Sequence, residues 1–482
     1  MQPTTCGDYR LPPISRIDRI TAAIILAVSF AVFRLSAVHH LSDTGYEMFF
    51  TQQLLVNHRF HCDAGALPAM KSHQPGQVHQ RNLDLPYQLV QRKERFYYFY
   101  PPANTILGVP FVAVANLAGI SAIDQNGVYY VPAEVRIQES LAALLMAGLC
   151  VVIFFTSRLF LSFHWSLLVT AAAGLGTQIW STASRLVWSH TWGILILGLV
   201  IWLILRAETQ RKQIPSVLVA TCLAWLYFVR PTFAISIAAV TIYVLIYHRA
   251  SLLWFLATGA AWLAALVAFS QHQYGLLLPP YYHSYAHADP QSPTSFWYRL
   301  AGTLISPSRG LFVYVPVLLF IAYLLGRYHR TARTRLVVLA LSIVVVHIIA
   351  ISSFVGWHGG FCYGPRLITD VVPWFALLGM LALEARLRWR AENPARDSGL
   401  RLRSEWIFGL FLLLCSVTLN GIGATWGPAS RWFLEPTNAQ HDMKRFWDWR
   451  HPPFLGIPPA SAIEDQNTEH PNARIQSPGP PK

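Results

Sequence analysis

Charge is scarce in this chain. Only 12% of its 482 residues are Asp, Glu, Lys or Arg, about half the share of an ordinary soluble domain, while 54% are hydrophobic. That balance excludes an ordinary soluble domain. Cysteine is sparse as well: six residues, with no Cys-x-x-Cys pair, so no cysteine metal pattern is present. Cys150, Cys222 and Cys415 sit in apolar runs and read as small hydrophobes, whereas Cys62 and Cys362 fall in polar segments where a bridge between them stays open. No small-residue cleavage site follows the first apolar run, which is therefore expected to be a retained anchor. An internal repeat of the kind that marks inverted-repeat transporters is also missing. Acids are the scarcer sign, 23 against 37 Lys and Arg, giving a net charge of +14.

What the chain has in quantity is apolar runs. They cover 20–33, 137–155, 167–180, 191–205, 217–228, 232–247, 252–269, 311–325, 336–354, 367–383 and 406–424. The expected fold is an all-α polytopic membrane protein of about eleven spans, several shorter than the ~20 residues of a straight crossing. Basic residues set the orientation. With Arg10, Arg16 and Arg19 in the cytoplasm and the helices alternating, Arg158, Arg206, Arg211, Lys212 and Arg249 all fall inside. So do Arg327–Arg335 and the cluster from Arg386 to Arg403. The positive charge is thus a topology signal, and nucleic acid is not an expected partner. The division is a cytoplasmic N-terminus (1–18), a transmembrane domain (19–425) and an extracytoplasmic, Pro-rich, partly disordered tail (426–482).

The outer side then receives 41–136, 271–309, 356–366 and the tail. The first of these is far longer than a usual connection, which marks it as functional. It opens with Ser42-Asp43-Thr44-Gly45-Tyr46-Glu47, two carboxylates at i and i+4 just past the first span. If the segment is helical, both acids face one way and repel, an arrangement that asks for a reason. A helix is expected over 46–57, and an interfacial one over 104–120, because counting the latter as a span would invert every later loop.

Further motifs follow in order. The block Arg95-Phe-Tyr-Tyr-Phe-Tyr-Pro-Pro closes the loop, Arg136 opens the second span, and Ser306-Pro-Ser-Arg-Gly-Leu and Trp357-His-Gly-Gly-Phe-Cys-Tyr-Gly-Pro-Arg366 precede late helices. Together these resemble the GT-C superfamily of integral membrane glycosyltransferases, in its bacterial branch related to protein mannosyltransferases and the aminoarabinose transferase of lipid A. The likeness covers about 18–385. The chain departs from it in reading Tyr-Pro-Pro-Ala where many relatives have Gly, and in spacing its acids as Asp-x-x-x-Glu where several branches place them side by side.

The resemblance implies transfer of one sugar from a polyprenyl-phosphate donor to a glycan, lipid or secreted-protein acceptor. The site would face outward from a bacterial inner membrane, among its lipids. Asp43 leads as general base. Glu47 is its partner, the base itself or a ligand for a divalent cation. Arginine suits the carrier phosphate because its planar fork binds oxygens bidentately. The Gly- and Pro-shaped turns favour Arg309 and Arg366, with Arg34 and Arg230 next. Tyr98, His190, Trp357, His358 and Tyr363 are the expected sugar or acceptor contacts, although His190 and the aromatic residues also suit a membrane boundary. Two other classes compete: a flippase or transporter for a lipid-linked glycan, which would carry charges at mid-helix, and a surface-polysaccharide polymerase or ligase.

Overall fold

The computed structural model describes residues 15–39, 41–67, 85–286, 294–394, 399–436, 438–439 and 442–458. Its first helix, α1 (Arg16–Leu35), starts at a reciprocal cap. The Asp18 amide donates to Ser15 Oγ at 3.1 Å, and the Ser15 amide donates to the Asp18 carboxylate at 2.8 Å. The chain continues through α2 (Glu47–Asn57), α3 (Pro102–Leu117), α4 (Val131–Ser157), α5 (Phe163–Leu175), α6 (Ser189–Thr209), α7 (Ser216–Val229), α8 (Ala234–Tyr247) and α9 (Leu252–Tyr274). Then come α10 (Phe296–Ile305), α11 (Leu311–Tyr314), α12 (Val317–Arg327), α13 (Thr334–Ser353), α14 (Val372–Glu392), α15 (Gly399–Thr425) and α16 (Gly427–Arg431).

Helix lies at each of the eleven expected apolar runs. Among the described residues, six helical stretches are long and apolar enough to cross a membrane: 131–157, 189–209, 249–274, 334–353, 366–392 and 404–425. Several boundaries differ from expectation, two of them for a plain local reason. The third run stops at Leu175 before Gly176, and a π-turn takes over at Ile179–Ala183. The run 311–325 breaks into α11 and α12 at Val315–Pro316, where proline has no N–H to continue the ladder. The second run starts six residues early, so Glu134 and Arg136 are helical.

Packing is centred on α14, almost wholly buried, with α9 outermost and carrying exposed Leu253, Trp254 and Leu263. Exposed Val338, Ile349, Ile407 and Phe411 extend this apolar exterior, the surface of a protein solvated by lipid. Inside, small residues let helices approach closely. A Cβ at Gly198 of α6 would stand 2.7 Å from Leu149 of α4.

The long first loop is not purely helical, contrary to the all-α expectation. It carries a three-stranded antiparallel sheet in the order β1 (His61–Cys62), β3 (Arg95–Tyr98), β2 (Leu89–Arg92). Arg92 pairs with Arg95 across a two-residue turn in which Lys93 takes φ 56°. Bulky aromatic residues at 96–98 favour this extended form. The tail also folds further than its composition suggests. Trp432, Phe433 and Phe446 pack with Trp357, and the Trp432 indole donates to the His451 carbonyl at 2.8 Å. Residues 459–482 lie outside the described residues.

Candidate active site

Asp43 and Glu47 do meet, but not as neighbours on a helix. Tyr46 sits in the left-handed region (φ 70°), so the helix can begin only at Glu47. Its start is fixed from outside: the Glu134 carboxylate accepts the Met48 and Phe49 amides, each at 2.9 Å. An acid at a helix N-terminus satisfies orphan donors and complements the dipole. Gln138 ties this cap to the preceding turn, donating to Glu134 Oε1 at 2.6 Å and to the Thr44 carbonyl at 2.7 Å. Asp43 lies in that turn, ahead of the helix, and reaches the site by loop geometry.

Asp43 is held at its carboxylate by two partners and at its backbone carbonyl by a third. Arg366 Nη1 lies 2.8 Å from Oδ2, the Tyr87 hydroxyl donates to Oδ1 at 3.1 Å, and the Tyr98 hydroxyl donates to the Asp43 carbonyl at 2.8 Å. Burial pushes the carboxyl up, but the Arg366 charge and hydrogen bond, with the Tyr100 and Tyr87 hydroxyls, outweigh it. Asp43 is held below the usual carboxylate range. The side chain remains 26% exposed, so it is both ionised and reachable. Arg366 in turn lies over the Trp188 ring at 4.4 Å, and its Nε has no partner among the described residues.

Asp43, Glu47 and Tyr98 line one narrow pocket with Thr44, Tyr100, Asn104, Trp188, Ser189 and Arg230. Arg230, at the end of α7, is aimed by two partners: its Nε donates to Asp370 Oδ2 at 3.0 Å and its Nη1 to Ser189 Oγ at 2.9 Å. The other oxygen of Asp370 meets His190 Nδ1 at 2.6 Å. His190 is thus a buried partner of Asp370 one residue from the pocket wall. Glu47 has the opposite character to Asp43. Burial, then the Glu134 charge, push its carboxyl well above the usual range, against a weaker pull from the Tyr98 hydroxyl. One pocket therefore holds two acids that their surroundings push in opposite directions.

The other expected site residues lie elsewhere. Arg309 donates to the carbonyls of His358 (2.7 Å), Ser308 (3.0 Å) and Gly360 (3.1 Å), with Phe433 and Phe446 against its guanidinium. It is a clamp on the glycine-rich loop, with each of its three nitrogens committed to a backbone carbonyl. Arg34 pairs with Glu139 at 3.0 Å on α4. Trp357 packs so tightly on α10 that a Cβ at Gly302 would stand 2.4 Å from its ring. His358 accepts the Gly360 amide at 3.0 Å, and burial, Arg309 and Arg366 push it down to about 3. The Tyr363 hydroxyl donates to the Leu419 carbonyl at 2.8 Å. These three hold the loop that ends in Arg366 and do not line the pocket. Cys62 and Cys362 are both free thiols.

A divalent ion does not fit this donor set. Among the described residues no three His, Cys, Asp or Glu side chains gather as a metal site, and Asp43 is already neutralised by Arg366 with Arg230 on the same pocket wall. Sequence reasoning missed Glu134, Tyr87, Asn104 and Trp188. Glu134 alone carried a signal, as an acid leading into a long apolar run. No protein-family model and no curated protein matches this chain.

Proposed function

We propose that the protein is a membrane glycosyltransferase that moves one sugar from a polyprenyl-phosphate donor to an acceptor hydroxyl on the extracytoplasmic face. The observation that carries this reading is Asp43, paired with Arg366, on a pocket whose wall also holds Arg230. Acceptor activation asks for an ionised carboxylate within reach, and departure of a phosphate asks for fixed cations.

In the proposed displacement the acceptor O–H gives its proton to Asp43 while its oxygen attacks the anomeric carbon. The bond from that carbon to the phosphate oxygen breaks on the opposite side, inverting the centre. Polyprenyl phosphate leaves with the electron pair, its charge met by Arg366 and Arg230, and Asp43 later releases its proton to water. Arg366 touches both the base and the departing group, which couples their charges. Asp370 acts through Arg230 and is a positioning residue.

The transporter reading is weaker on one specific ground. The buried charges Arg230 and Asp370, with His190, sit at helix ends: the C-cap of α7, the turn Arg366–Val371 before α14, and the first turn of α6. Ion-coupled transport would favour charges at mid-span. Mass spectrometry of envelope glycans and polyprenyl-phosphate sugars, with and without the gene, tests the reading. Loss of one sugar from a glycan, lipid or protein together with build-up of its polyprenyl-phosphate form is expected. A lipid-linked glycan that is complete but left on the wrong face would contradict it.

A further inference from the structure

Four residues that line the pocket each carry a buried polar atom with no hydrogen-bond partner among the described residues: Thr44 Oγ1, Glu47 Oε1, Asn104 Oδ1 and Trp188 Nε1. Buried polar atoms in folded proteins are almost always paired, so four orphans on one pocket call for an explanation. All four residues are at least nine-tenths buried: Thr44 2%, Glu47 1%, Asn104 1% and Trp188 3% exposed. The helix cap at Glu134 and the arginine network leave these atoms unused.

Their chemistry is selective. Trp188 Nε1–H can only donate, Asn104 Oδ1 can only accept, and the Thr44 hydroxyl can do either. A group that both donates and accepts pairs with all of them, which is the property of a hydroxyl. An ammonium could not accept from Trp188 and would meet the positive charges of Arg230 and Arg366. A carboxylate could not donate to Asn104 Oδ1. Glu47, pressed toward its neutral form by burial and Glu134, adds a further two-way partner.

The geometry points to a specificity subsite, formed by Thr44, Glu47, Asn104 and Trp188, that takes a neutral hydroxyl of the transferred sugar and rejects sugars with an ammonium or a carboxylate in place of that hydroxyl. This inference rests on the glycosyl-transfer reading and narrows its substrate class. The subsite lies beside the Asp43 carboxylate, so a hydroxyl seated there also fixes the sugar ring relative to the base and the two arginines.

The test is binding of defined lipids to the purified full chain in nanodiscs. The probes are decaprenyl phosphate alone, its mannosyl, glucosyl and arabinofuranosyl esters, and its 4-amino-arabinosyl and galacturonosyl esters. At least one neutral ester should bind about tenfold or more tighter than bare decaprenyl phosphate and than both charged esters, the effect of one buried hydrogen bond made or left unmade. Thr44→Val and Asn104→Leu should each remove that gain while bare decaprenyl phosphate binds them as it binds the wild type. Glu47→Gln, which keeps a neutral two-way side chain, should retain most of it. If the carrier binds but all its esters bind equally, or if the gain survives Thr44→Val and Asn104→Leu, the orphans serve only an internal water and the subsite is refuted while the carrier reading stands. Tighter binding of a charged ester overturns the selectivity. No binding of any of the six lipids overturns both.

Discussion

At the scale of single residues, one carboxylate and its cation set the chemistry. Asp43 is pushed up by burial and pulled down more strongly by Arg366 and two tyrosines. A carboxyl held low in the folded state favours folding above its unfolded value of about 3.9, and that contribution is lost as pH falls through the lower, folded value. The acid limb of transfer should therefore lie below the usual carboxylate range. Arg366→Gln removes the main downward influence and leaves burial, so the limb should move to higher pH. A pH–rate profile of transfer in reconstituted vesicles reads the shift; an unmoved limb would remove Asp43 as the titrating base. The same chemistry explains what the residues alone revealed. Of the residues the sequence points to, Asp43, Glu47, Tyr98 and Arg230 line one pocket and Arg366 pairs with Asp43. Arg309 misled, because a Ser-Pro-Ser-Arg-Gly turn aims an arginine without saying at what. Here its targets are the backbone carbonyls of 358 and 360.

At the scale of elements, α2 shows how a right expectation can rest on a wrong reason. The i and i+4 spacing suggested one helical face, yet Tyr46 breaks the helix between the two acids and Glu134 sets where it starts. Such a cap joins positions 85 and 86 residues apart, which no local pattern encodes. The sheet at 61–98 was equally hidden, since two-residue pairings such as His61–Cys62 with Phe96–Tyr97 carry no periodicity. Glu134→Ala should leave the Met48 and Phe49 amides unpaired at a buried site, costing about 1–3 kcal/mol. Hydrogen exchange should then accelerate over 47–57 while α4 beyond Gln138 keeps its protection. Unchanged exchange in α2 would mean that the cap does not hold the helix start.

At the scale of the whole molecule, the length and apolar composition of the runs made a helical membrane protein legible, whereas crossing and sidedness rest on where the arginines fall. Residues 41–136 and 356–366 are expected on one, extracytoplasmic side. Single cysteines at the exposed positions Asn126, Ser353, Gln210 and Arg330, in a Cys-free background, test this with an impermeant maleimide. Label at Asn126 and Ser353 but not at Gln210 or Arg330 is expected. Label at Gln210 or Arg330 in intact cells would invert the orientation.

Asp43 as the base is tested most sharply by turnover of a polyprenyl-phosphate sugar by the full chain in nanodiscs, wild type against Asp43→Asn, once the sugar lost from the mutant envelope has been identified. Asparagine keeps the shape of the side chain and removes the proton acceptor, so transfer should fall about 10²–10⁴-fold while the protein stays folded and still binds the lipid. Transfer at near wild-type rate by Asp43→Asn would contradict the assignment of Asp43 as the base.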